Sequence, residues 1–166
     1  MAAVKPTRPS ASLPIDAPER RRLPILLRHA WYGLNQAFRR RIAYLGITPD
    51  QFTVMRTLLE SGQITQRMLT ESMSSDPNTV ASLLERMEKS GLLERRPHEK
   101  DRRAHRLNLL PAGRRKYQEA REIAIALQTE VLGALPESKQ EEFLEHLAAV
   151  ADACRSATEQ SPKKPK

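Results

Sequence analysis

The sequence predicts a mainly α domain with one small β-hairpin and a helix-turn-helix at its centre. Three observations lead there. Apolar residues recur at the helical period over most of the chain, interrupted after Gly91 by two short strand-like runs. A tight turn at Ser74-Ser75-Asp76-Pro77 joins two helical segments, the second with a small polar outer face. Positive charge also gathers in one stretch. Between Leu92 and Tyr117 nine Arg/Lys stand against three Asp/Glu, whereas between Glu137 and Asp152 five acids stand against one lysine.

The elements follow in order. Leu27, Trp31, Leu34, Phe38, Ile42 and Leu45 step by 4, 3, 4, 4 and 3, a helical stripe with Pro24 in its first turn and Gly46 as its cap. Thr48-Pro49-Asp50-Gln51 reads as a capping box with proline at the first helical position, and Phe52, Met55, Leu58 and Leu59 form the second buried stripe up to Gly62. Thr65 caps a short third helix carrying Met68 and Leu69. Asp76 caps the fourth, where Val80, Leu83, Leu84 and Met87 fit the i, i+3, i+4, i+7 template. Asn78, Thr79, Ser82, Glu85, Arg86 and Lys89 lie on its other face. The runs 92–96 and 105–110 then read as hairpin strands around a charged tip, 97–104. Tyr117, Ala120, Ala124, Leu127 and Val131 mark a fifth helix, and Phe143, Leu144, Leu147, Ala151 and Cys154 a last one after Pro136.

At 166 residues the chain fits one domain on a prior of roughly 100–200 residues each. Residues 1–22, with four of the twelve prolines and ending in three arginines, read as a disordered basic arm, and 156–166 as a disordered tail. A single cysteine excludes a disulfide scaffold and fits a reducing, cytoplasmic setting; on its apolar stripe Cys154 reads as a buried structural thiol. No apolar run reaches the ~18 residues of a spanning helix, and the start lacks the apolar block of a secretion signal, so no membrane partner is expected. A net charge of +8, concentrated in one segment, points instead to a polyanion.

The order of elements and the stretch TVASLLERMEKSGLLERRPHEKDRRAHRLNL resemble the MarR family of winged helix-turn-helix transcriptional regulators over about residues 23–155. That stretch looks like the family's recognition helix, its closing glycine, a strand ending in arginine, and the wing. The family's Asp-x-Arg wing motif, followed by an apolar strand position, falls on Asp101, Arg103 and Leu107. LLPAGRRKY resembles the family's LT-x-x-G approach to the fifth helix, with Pro111 a departure beside the usual threonine position. The resemblance implies a winged helix-turn-helix domain at 23–155 forming an intertwined helical homodimer. Its dimerisation helices are expected at 23–46 and 112–155 and its DNA-binding lobe at 48–110. It further implies a sequence-specific regulator of double-stranded DNA, acting as a ligand-responsive repressor on a pseudo-palindromic operator.

The residues suit that task. A helix fits the major groove, where Asn78 can make bidentate contact with adenine and Arg86 can read guanine or hold a phosphate. Thr79 and Ser82 are short and adaptable there. Main-chain amides at Ser75–Asn78 lie at a helix N-terminus, where phosphate contact is expected, although the Asp76 carboxylate repels phosphate. At the wing tip Arg102 and Arg103 are the expected DNA contacts. The resemblance makes Arg103 the minor-groove residue and Asp101 its support; a narrow groove favours an inserted arginine.

The resemblance also implies a small aromatic or phenolic acid effector, with His29, Trp31 and Tyr32 on the first helix and Met55 on the second as candidate contacts. No other cofactor is expected. The four histidines lack zinc-site spacing, so no metal site is read. No phosphate loop, nucleophile elbow or paired-cysteine site points to an enzyme or to catalytic residues. The alternative is a DNA-binding architectural protein without ligand control. An RNA-binding role fits poorly with 4% aromatics, none of them in the basic wing.

Overall fold

The computed structural model describes Pro18 and residues 22–62, 64–73, 75–97 and 105–159, the side chains of Pro97 and His105 excepted. The elements run α1 (Arg22–Ile42), a 3-10 turn (Ala43–Leu45), α2 (Pro49–Ser61), α3 (Gln66–Ser72), α4 (Pro77–Lys89), β1 (Leu93–Pro97) and β2 (His105–Leu109). There follow α5 (Pro111–Leu132), a second 3-10 turn (Glu137–Lys139) and α6 (Gln140–Glu159). The chain divides into two compact units, one up to Ile123 and one from Ala124.

Helix starts are set by local chemistry. Thr48 Oγ1 accepts from the Gln51 N–H at 3.2 Å, and the Gln51 side chain accepts from the Thr48 N–H at 2.9 Å, completing the capping box ahead of Pro49. Thr48→Ala is expected to cost about 1 kcal/mol, measured as a lower urea midpoint at unchanged slope. Thr65 caps α3 through the Met68 N–H, and Asp76 caps α4.

The first unit has a continuous apolar core. Phe38 and Ile42 of α1, Phe52, Val54, Met55 and Leu58 of α2, and Leu69 of α3 are buried with Val80, Leu83, Leu84 and Met87 of α4. Phe52 holds the centre of an aromatic contact, edge-on to Phe38 at 4.9 Å and stacked on Tyr117 of α5 at 5.4 Å. Lys116 Nζ donates to the Leu45 carbonyl at 2.5 Å, tying the end of the first 3-10 turn to α5.

The hairpin is antiparallel, with Leu93 opposite Leu109 and Arg95 opposite Leu107. Leu93, Leu107 and Leu109 are buried, so the hairpin root belongs to the core. The segment between α2 and α3 adds a third rung. Thr65 bridges to Arg106, and Ile64 O accepts from the Leu107 N–H at 3.4 Å. Gly91, at φ 67°, supplies the left-handed turn between α4 and the hairpin.

Several expectations need correction. The last helix runs on to Glu159, past the boundary at 155, so 156–159 are helix and not tail. Arg22 likewise belongs to α1. No residue of α6 is buried, and Cys154 is exposed: its stripe finds no cover within its own helix. Trp31 and Leu34, expected in the α1 stripe, are exposed, and only its C-terminal part, Phe38, Ile42 and Leu45, is buried.

Candidate nucleic-acid interface

α4 is two-faced because its sequence is. Val80, Leu83, Leu84 and Met87 face the core, which leaves Asn78, Thr79, Ser82 and Arg86 exposed. All four predicted α4 contacts therefore lie on the solvent side of one helix. Glu85 and Lys89 share that side and pair at 2.7 Å. The Lys89 hydrogen bond and charge, with a contribution from Arg95, hold the Glu85 carboxyl below its usual range.

The N-terminus of α4 differs from expectation. Asp76 Oδ1 accepts from the Asn78 and Thr79 N–H groups, each at 3.0 Å, and the Ser75 N–H donates to the Thr70 carbonyl at 3.4 Å. Of the amides expected to meet phosphate, those of Ser75 and Asn78 are thus engaged inside the chain, and Pro77 has none. Hydrogen bonds from Thr79, side chain first, and from the Asn78 main chain hold the Asp76 carboxyl below its usual range. A carboxylate lowered in this way adds stability above its unfolded pKa and loses it as pH falls through the folded value. The cap is therefore ionised and intact at neutral pH.

The arginines around the hairpin divide by role. Arg95 binds Glu88 of α4 twice: its Nε donates to Oε2 at 2.9 Å and its main-chain N–H to Oε1 at 3.2 Å. Arg96 pairs with Glu94 at 2.7 Å. Arg114 is exposed, and Arg106 is half-buried at the rung with Thr65. The wing-tip contacts Arg102 and Arg103, and Asp101 with them, lie outside the described residues. The Glu88–Arg95 link is the feature that sequence reading missed. Seven positions apart across a helix end and a turn, the two residues match no periodic template.

The effector candidates are not brought together. His29, Trp31 and Tyr32 are exposed on α1, with the Tyr32 hydroxyl accepting from Gln36 Nε2 at 3.0 Å. Met55 is fully buried in the core and presents no surface beside them. Among the described residues no cluster of three or more His, Cys, Asp or Glu could hold a metal, and no helix is long and apolar enough to cross a membrane.

The sequence profile of the MarR family matches residues 47–105, from two residues before α2 to the start of β2. The transcriptional regulator HosA of Escherichia coli is 31% identical over 121 residues, covering 70% of this chain and 90% of the relative. This chain belongs to the MarR family. Among its relatives, the uncharacterized HTH-type transcriptional regulator YsmB of Bacillus subtilis is 38% identical over 93 residues. That match covers 56% of this MarR-family chain and 64% of YsmB, just under two thirds of the relative's length. The HTH-type transcriptional repressor MdtR of the same organism is 28% identical over 119 residues, 72% of this chain and 77% of MdtR. In fold, a mutant MarR of Escherichia coli complexed with operator DNA superposes with a TM-score of 0.73 at 22% identity, covering 80% of this chain and 95% of that one. The winged helix-turn-helix architecture of this MarR-family chain is thereby established.

Proposed function

We propose that this MarR-family protein is a homodimeric, DNA-binding transcriptional repressor that reads a pseudo-palindromic operator and is released by a small aromatic or phenolic acid. The observation that supports DNA reading best is α4 itself. Its polar residues Asn78, Thr79, Ser82 and Arg86 stand exposed over a fully buried Val80, Leu84 and Met87 backing. The core thus holds the helix firmly while its outer face stays free for a groove. In this reading Arg103, supported by Asp101, enters the neighbouring minor groove, and Arg102 adds a further DNA contact at the wing. The repressor sign follows MdtR, the relative whose name states it.

Unmet apolar surface supports the dimer. In the first unit α1 exposes Leu23, Ile25, Leu26, Trp31 and Leu34; in the second, Ile125, Val131, Phe143 and Leu147 are exposed. Apolar side chains left exposed along α1 are what a contact with a second copy would cover. A dimer carries two recognition helices ~34 Å apart, one turn of duplex, and the second half-site then binds at high effective concentration. The effector would meet His29, Trp31 and Tyr32, not Met55, and would favour the arrangement unable to bind DNA.

The test is footprinting on duplex DNA from the protein's own promoter, followed by titration at several salt concentrations. A short palindromic protection is expected. The logarithm of affinity should fall linearly with log salt, at about −0.9 per phosphate contacted. Diffuse coverage would favour an architectural role, and a monomer at micromolar concentration in light scattering would remove the paired half-sites. A thermal-shift series of aromatic acids, with and without operator, tests the effector.

A further inference from the structure

The recognition helix and the wing are the two parts of the lobe that must meet DNA together, and among the described residues a side-chain link joins them. Glu88, at the C-terminal end of α4, uses both carboxylate oxygens on a single residue of β1: Oε2 takes the Arg95 guanidinium Nε and Oε1 takes the Arg95 main-chain N–H. The pair is partly shielded, with Arg95 25% and Glu88 41% exposed, so it is less screened than the Arg67–Glu71 pair on α3. The charge of Arg95 also reaches Glu85, one turn earlier on α4. Arg95 therefore contacts one carboxylate of α4, Glu88, and lies within electrostatic reach of a second. Its main chain is gripped together with its side chain, which fixes the path of β1 as well as the position of a charge. The charged tip, 97–104, begins two residues further on.

We propose that Glu88 is a positioning residue for DNA reading: by clasping the side chain and main chain of Arg95 it locks the first wing strand to the recognition helix, so that helix and wing enter their two grooves at one fixed spacing. The proposal rests on the reading of this lobe as a duplex-DNA reader. It makes Arg95 an internal strut, withdrawn from phosphate, although it lies in the most basic stretch of the chain.

The sign of the effect separates positioning from charge. Removing a carboxylate beside DNA strengthens binding if the residue acts only through its charge. Positioning demands the opposite. Full-length Glu88→Ala, assayed on the operator at a temperature where circular dichroism shows it folded, should bind about tenfold more weakly or worse. Its hydroxyl-radical footprint should keep the central protection from α4 and lose the flanking minor-groove protection from the wing. Glu88→Gln keeps an oxygen acceptor for the Arg95 main chain and should recover much of the affinity and the flanking protection. Affinity equal to or tighter than wild type in Glu88→Ala, with an unchanged footprint, would overturn the proposal. If Glu88→Ala fails to fold, Arg95→Lys carries the test. It keeps the positive charge and the main-chain donor but loses the guanidinium Nε. Weaker binding with lost flanking protection supports the strut, and full wild-type affinity overturns it. A wild-type protein that protects no discrete duplex site would instead sink the underlying DNA reading, and this proposal with it, before any variant is made.

Discussion

Gly113→Ala is expected to destabilise the protein by about 1–3 kcal/mol, the range typical of overpacking. In an ordinary helix interior the same change stabilises by up to about 1 kcal/mol, because alanine is the better helix former. The sign reverses here because of what surrounds the third residue of α5. A Cβ at Gly113 would lie 2.3 Å from the Leu92 carbonyl oxygen and 2.7 Å from Leu109 Cδ1. The Leu92 carbonyl cannot swing aside freely: it belongs to the main chain and already accepts from the Leu110 N–H at 3.0 Å. Leu109 is buried at the hairpin root. The added methyl therefore pushes α5 off the wing or opens the closure of the hairpin. For a chain of this size the loss corresponds to a melting temperature lower by roughly 2–4 °C per kcal/mol. A thermal scan in which the alanine variant melts at or above wild type would show that the contact is slack.

Arg103→Ala is expected to weaken operator binding at least about tenfold, and to lower the salt slope by about one phosphate, while thermal unfolding stays nearly unchanged. The separation of the two readouts is physical. The hairpin is anchored at its root by Leu93, Leu107 and Leu109, all buried, and the tip lies beyond Pro97 and His105. The substitution alters none of these buried root residues. An arginine placed in a narrow minor groove meets concentrated negative potential that alanine cannot use. Anisotropy titrations on a labelled operator give the affinity, and a scan on the same samples gives the stability. Unaltered affinity would remove the wing from the mechanism.

Much of this architecture was legible because it is locally encoded. Thr48-Pro49-Asp50-Gln51 and Asp76-Pro77 carry their caps within four residues, and both form as read. The polar face of α4 was legible for the same reason, since period 3.6 assigns each residue a side. What failed was whatever depends on a second surface. Periodicity placed Trp31 and Cys154 on apolar stripes, but a stripe does not say what covers it, and both are exposed in the single chain. Met55 met the opposite error: an apolar residue read as a candidate effector contact is sealed in the core. The Glu88–Arg95 clasp joins a helix end to a strand through a turn, so only the folded geometry reveals it. At the start of α4 two local signals compete: the Asp76 cap forms as read and takes the Asn78 and Thr79 amides, which a bare helix N-terminus would leave open.

That cap has a kinetic consequence. With its leading amides satisfied and a carboxylate seated over them, the front of the recognition helix has little attraction for any arbitrary stretch of sugar-phosphate backbone. Under the proposed DNA reading, grip is then expected from the α4 side chains and from the basic wing. On that same reading, the front of α4 is expected to add little to residence on unmatched sequence, and the non-specific part of the binding falls to the basic residues elsewhere in the lobe.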